Sequence, residues 1–189
     1  LISFPYLTIS RKKFLHEKGF TLLELLIYIG ISTIVLTGLT TLTWTFIRDQ
    51  VKQDIVSNIN EEGIFALDIM TYHVQRATAL NATSVFGTHP GRLVLTVGAG
   101  TTTFDTYEKV VDFGGQSVTI RTLRMNDGTG PVDLTSDRVD VTNLLLTNVS
   151  TGATSGVIIS LTLHSAAPTA DPTYASEKTW THAATIRTR

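Results

Sequence analysis

"KGFTLLELLIYIG", residues 18–30, places one carboxylate, Glu24, near the start of an otherwise uncharged apolar run. From Phe20 to Ile47, 28 residues, it is the only charged side chain. The run has no proline, and as a helix it is about 42 Å long at 1.5 Å per residue. About 20 apolar residues suffice to cross a bilayer, and residues 25–47 alone are uncharged throughout. Gly30, Gly38 and the threonines dilute the hydrophobicity, but membrane helices tolerate them. A secretory signal peptide fits less well: the apolar region is too long and no small-x-small cleavage site stands near its end. A buried core helix would need more surrounding chain than remains.

Charge is unevenly placed. Residues 1–19 carry Arg11, Lys12, Lys13 and Lys18 against Glu17, a net of +3, whereas residues 48–189 carry 11 basic and 14 acidic side chains, a net of −3. The basic cluster just before the run predicts a single-pass membrane protein with its N-terminus in the cytoplasm and its C-terminal body outside. A mildly acidic body argues against nucleic acid as a general electrostatic partner. The absence of cysteine excludes disulfide and thiolate chemistry.

A carboxylate in hydrocarbon costs roughly 2.5–3.5 kcal/mol on insertion scales and by default marks function and a partner. The run itself offers no cation, and Lys18 is six positions back, whereas helical neighbours are three or four apart. The partner is therefore expected from another chain or from processing of this one. The bland alternative is a stray charge reaching the interface.

The stretch Lys18–Gly19–Phe20–Thr21–Leu22–Leu23–Glu24–Leu25–Leu26 resembles the N-terminal signal of type IV prepilins and type II secretion pseudopilins. The resemblance is strong over residues 11–47 and weak beyond. It implies a leader peptide, residues 1–19, whose basic residues are Arg11, Lys12, Lys13 and Lys18. It implies cleavage by a prepilin peptidase between Gly19 and Phe20, and N-methylation of Phe20. It also implies that Glu24 pairs with the new Phe20 amine of a neighbouring subunit. An ammonium and a carboxylate gain most from pairing where the dielectric is low. The implied partners are the peptidase, other pilin or pseudopilin subunits, an inner-membrane assembly platform and the lipid bilayer. The implied location is the cytoplasmic (inner) membrane, then a filament.

Residues 48–82 continue the helix with amphipathic spacing. Val51, Ile55, Ile59, Ala66, Ile69, Met70, Val74, Ala77 and Leu80 share one face at 100° per residue. Asp54, Asn58, Glu61, Asp68 and Gln75 lie opposite. Lys52 and Glu62 are exceptions on the apolar side, and Gly63 is a weak point. One helix is expected from about 20 to 80, ended by Asn81, Gly87 and Pro90. Core packing accounts for this face, and Met70, Tyr72 and His73 receive no cofactor role.

Residues 83–189 read as β-rich. Leu93, Leu95 and Val97 alternate, as do Val118 and Ile120. Val139 and Val141 lead into Leu144–Leu145–Leu146, and Val157, Ile159, Leu161 and Leu163 form the clearest stripe. Trp180, Ala184 and Ile186 close the chain. "GAGTTT", "FGGQ", "NDGTGP" and "STGATSG" are turn signals, and residues 165–178, with Pro168 and Pro172, read as an exposed loop. The predicted fold is α+β: a long N-terminal helix, membrane-spanning in its first half, packed on five to seven largely antiparallel strands. This plan resembles minor pilins and the J-type minor pseudopilin.

No Gly-x-Ser-x-Gly, Walker loop or His-Glu-x-x-His occurs. His16, His73, His89, His164 and His182 lack metal-ligand spacing. Asp127, Asp133, Asp137 and Asp140 form a loose acidic group that reads as solvated turn residues rather than a calcium loop. The two formal sequons, at Asn81 and Asn148, carry little weight. The expectation is a non-enzymatic minor subunit of a pilus or secretion pseudopilus, with no cofactor and no metal. The competing class is a membrane-anchored β-rich domain that binds or catalyses without polymerising; it predicts an uncut N-terminus.

Overall fold

The computed structural model describes residues 19–152, 154–166 and 175–187. The four leader cations therefore lie outside the described residues, as do Pro168 and Pro172 of the expected loop. One helix, α1 (Leu22–Arg76), is followed by β1 (Ala79–Leu80), β2 (Leu93–Val97), β3 (Gly100–Phe113), β4 (Gln116–Asn126), β5 (Pro131–Asp133), β6 (Val139–Asn148), β7 (Gly156–Ser165) and β8 (Glu177–Thr185). The chain divides into two compact units, residues 1–46 and 47–189.

In the second unit every strand pairing is antiparallel. A five-stranded sheet runs β1-β2-β3-β4-β5, and a three-stranded sheet runs β6-β7-β8. The α+β expectation holds, with eight strands among the described residues where five to seven were expected. Ile59, Ala66, Leu67, Met70 and Val74 of α1 meet Leu93, Leu95, Phe104 and Leu123 of the larger sheet. Leu144, Leu146, Ile159 and Leu161 of the smaller one complete a single core. Period-two alternation puts the strand residues on one face, and 3.6-residue spacing does so for the helix.

The helix ends at Arg76, earlier than its apolar spacing suggests. Ala77–Leu80 contain neither glycine nor proline, so the stop is tertiary. The Ala77 N–H is shared between the carbonyls of His73 and Val74, and the Thr78 N–H goes to Thr96 O at 2.7 Å. Ala79 and Leu80 then pair with Thr96 and Leu95 as β1. Within the face expected to be apolar, Val51 is exposed, whereas Leu67 and Gly63 are buried. Gly63 is required by packing: a β-carbon there would stand 2.5 Å from Cη2 of Trp180. Glu62 lies toward the domain because its carboxylate accepts the Ser136 backbone N–H at 2.9 Å and the Ser136 hydroxyl.

Two strands besides β1 were not legible as strands. β3 begins inside the "GAGTTT" turn signal; only Gly98 and Ala99 connect β2 to β3, and Thr101–Thr103 are paired. From Tyr107 to Phe113 β3 pairs only with β4, closing at Gly114 and Gly115 with φ of 62° and 95°. Positive φ at both central residues suits a two-residue hairpin, and only glycine adopts it freely. Asp112 Oδ1 accepts the Gly115 N–H at 2.7 Å and fixes the turn. β5 is a three-residue exposed strand led by proline, a form confined to sheet edges. Of the expected 165–178 loop, Ser165 ends β7 and Glu177 and Lys178 open β8.

Candidate processing and assembly site

Gly19, Phe20 and Glu24 lie together at the start of α1. Thr21 precedes the first helical residue, and its hydroxyl accepts the Glu24 N–H at 3.2 Å. This puts Thr21 at the N-cap and Glu24 at N3, the spacing of a capping box. Among the described residues no cation pairs with the Glu24 carboxylate, but the positive end of the helix dipole favours an anion there. The Thr21-x-x-Glu24 pattern was readable in the sequence, and it gives Glu24 a local helix-starting role that the search for a charged partner had passed over.

Phe20 is exposed, and its ring meets that of Tyr28 edge-on, 5.8 Å between centroids. A β-carbon at Gly19 would meet nothing within 4 Å. Among the described residues no packing demands glycine at the expected cleavage position.

Residues 19–54 are exposed throughout. Leu22, Ile34, Leu36 and Phe46 are among more than a dozen large apolar side chains in this stretch with over half their surface uncovered. Such a surface needs lipid or protein around it. One helix in the described chain is long and apolar enough to cross a membrane, and it is this one. The threonines do not contradict that setting. Thr33, Thr37, Thr40, Thr41, Thr43 and Thr45 each donate their hydroxyl to the carbonyl four residues back, at 2.7–3.0 Å. Every one of these donors is satisfied inside the helix, which removes most of the penalty for placing it in hydrocarbon.

Elsewhere the suspected clusters are engaged internally. Asp133 and Asp137 hold Lys109, and Tyr107 donates to Asp133. Asp140 accepts the Arg121 N–H, and Asp127 accepts from Thr129. The hydrogen bonds to Asp137 and Asp133 raise the Lys109 pKa, against desolvation. Among the described residues no group of three or more histidine or acidic side chains is placed to hold a metal. His73 is half-buried against Phe104, ring centroids 5.6 Å apart. Burial lowers its pKa, opposed by Asp127 and aided by Arg76.

Comparison with known families gives one match: the prokaryotic N-terminal methylation motif covers residues 15–40, a segment that contains Gly19, Phe20 and Glu24. It is the cleavage and methylation signal of type IV pilins and pseudopilins. No curated protein and no solved structure matches the chain.

Proposed function

We propose that this chain, which carries a prepilin-type signal over residues 15–40, is a minor structural subunit of a type IV pilus or type II secretion pseudopilus. A prepilin peptidase cuts between Gly19 and Phe20 and the new Phe20 amine is methylated. The helix anchors the subunit in the inner membrane, N-terminus inward, and later carries it into the filament. There Glu24 faces the Phe20 ammonium of the next subunit. The role is assembly, not catalysis. The observation that carries this reading is the coincidence of the motif with an exposed apolar stretch, residues 20–47, whose one charged side chain is Glu24.

The test is intact mass and N-terminal sequence of the membrane-extracted protein, made with and without a prepilin peptidase. A peptidase-dependent start at N-methyl-Phe20 is expected. Gly19→Val should abolish it while leaving the helix intact, since no described residue lies within 4 Å of a β-carbon at Gly19. An uncut chain beside an active peptidase overturns the reading and leaves a membrane-anchored β-rich domain that does not polymerise.

A further inference from the structure

β8 is the outer strand of the three-stranded sheet and pairs with β7 alone. Ile186 N–H donates to Ser155 O at 2.9 Å, which extends the Thr185–Gly156 register by one residue. In an antiparallel ladder, residues that exchange bonds with the neighbouring strand alternate with residues that do not. Lys178, Trp180, His182 and Ala184 therefore bond to β7. Glu177, Thr179, Thr181, Ala183 and Thr185 turn their N–H and C=O groups outward. Among the described residues these outward backbone groups have no partner, and the side chains they belong to are exposed.

The other strand edges are guarded. β1 is two residues long, and β5 is three, led by Pro131. Backbone from Gly87 and Gly91 covers β6 at Leu146 and Leu144. On the free side of β4, Arg121 N–H and Leu123 N–H go to the side chains of Asp140 and Thr135. The part of β3 beyond β2 carries Glu108, Lys109 and Asp112. Short strands, proline, charge and covering loops are the devices that keep edges from pairing. From Thr179 to Thr185, β8 has no acidic residue, lysine, arginine or proline, and no register shift. Lys178, at one end, is held by Asn60 Oδ1 at 2.6 Å.

We propose that the β8 edge pairs antiparallel with the β8 edge of a second copy of this chain. Thr181 is the midpoint of Glu177–Thr185 and is one of the outward residues. Full overlap about a two-fold axis at Thr181 therefore fits the alternation of the bonds. It sets Thr179 against Ala183 and Glu177 against Thr185, and every outward group gains a partner. Lys178 meets Ala184 and Trp180 meets His182, so no acidic or basic side chain faces a like charge, which would be destabilising. Among the described strands no other offers an uncharged free edge of this length. The contact is isologous, so it closes on itself and joins two subunits only. It uses no residue of the N-terminal helix and does not depend on cleavage at Gly19.

The chain has no cysteine, so a single introduced thiol reports one position. Hydrogen-bonded antiparallel partners have Cα atoms about 5.5 Å apart, within the roughly 4.4–6.8 Å that a disulfide spans. Under mild oxidation in detergent micelles, full-chain Thr181→Cys should give a cross-linked dimer. Thr179→Cys and Ala183→Cys should each give none alone and a heterodimer when co-expressed. Val110→Cys, exposed on the β3 edge, should give none. Ala183→Pro removes an outward N–H but no bond to β7, and should abolish the Thr181→Cys dimer. Absence of the Thr181→Cys dimer, its survival in Ala183→Pro, equal cross-linking at Val110→Cys, or no heterodimer from the co-expressed pair would each overturn the proposal.

Discussion

The ring of Trp180 occupies the space that a β-carbon at Gly63 would need, with Cη2, Cζ3 and Cζ2 2.5–2.8 Å from that position. Lys178 lies over the ring, 5.4 Å from the centroid, and donates to Asn60 Oδ1 at 2.6 Å. Replacing glycine by alanine in a helix interior ordinarily stabilises by about 1 kcal/mol. Overpacking a filled site costs about 1–3 kcal/mol. With the ring held, the clash should win, and Gly63→Ala should lower the unfolding midpoint. Trp180→Leu should relieve it, so the double variant should lose less than the sum of the singles. A higher midpoint in Gly63→Ala alone would show that the indole moves aside without cost.

Gly63 also marks where sequence reading stopped. Spacing placed Ile59, Ala66, Met70 and Val74 of the helix face and the Ile159, Leu161 and Leu163 stripe correctly, because burial on one side imposes a period on the residues that serve it. A glycine in a helix carries no period; its meaning depends on Trp180, 117 positions away. β3 was missed for a related reason. Its threonine-rich start resembles a turn, and much of its length pairs with a single neighbour, so few of its residues needed to be apolar. The helix end at Arg76 was hidden because pairing with β2, not a glycine or proline, stops it. The N-terminal motif was legible because it is local: the match covers residues 15–40, and the Thr21 hydroxyl meets Glu24 N–H only three residues on.

Thr21 and Glu24 separate two explanations of the lone charge in the apolar run. Loss of an N-cap hydroxyl costs about 0.5–2 kcal/mol of helix stability, and a carboxylate at N3 gains about 0.3–1 kcal/mol from the dipole. Neither is large beside the roughly 2.5–3.5 kcal/mol insertion cost of a carboxylate at a helix centre, although Glu24 lies near one end of its helix. Under the proposed assembly role, Glu24→Ala should leave membrane insertion intact and sharply reduce recovery in sheared filaments. Thr21→Ala should reduce that recovery only slightly. Equal losses in the two variants would assign Glu24 to helix capping and remove the reason to invoke a neighbouring subunit's amine.

His73 should make the second unit acid-sensitive. Burial against Phe104 holds its pKa below the ordinary 6.5. The unfolded chain therefore binds the proton more readily than the folded one over the interval from about 6.5 down to the lowered value. Stability is full above that interval and falls as the pH drops through it. Thermal unfolding of the detergent-solubilised chain at pH 7.5 and 5.5 should show a lower midpoint at the acid value. His73→Gln should shrink that difference. A difference of undiminished size in His73→Gln would mean that the Asp127 carboxylate, which opposes the shift, already offsets the cost of charging the ring.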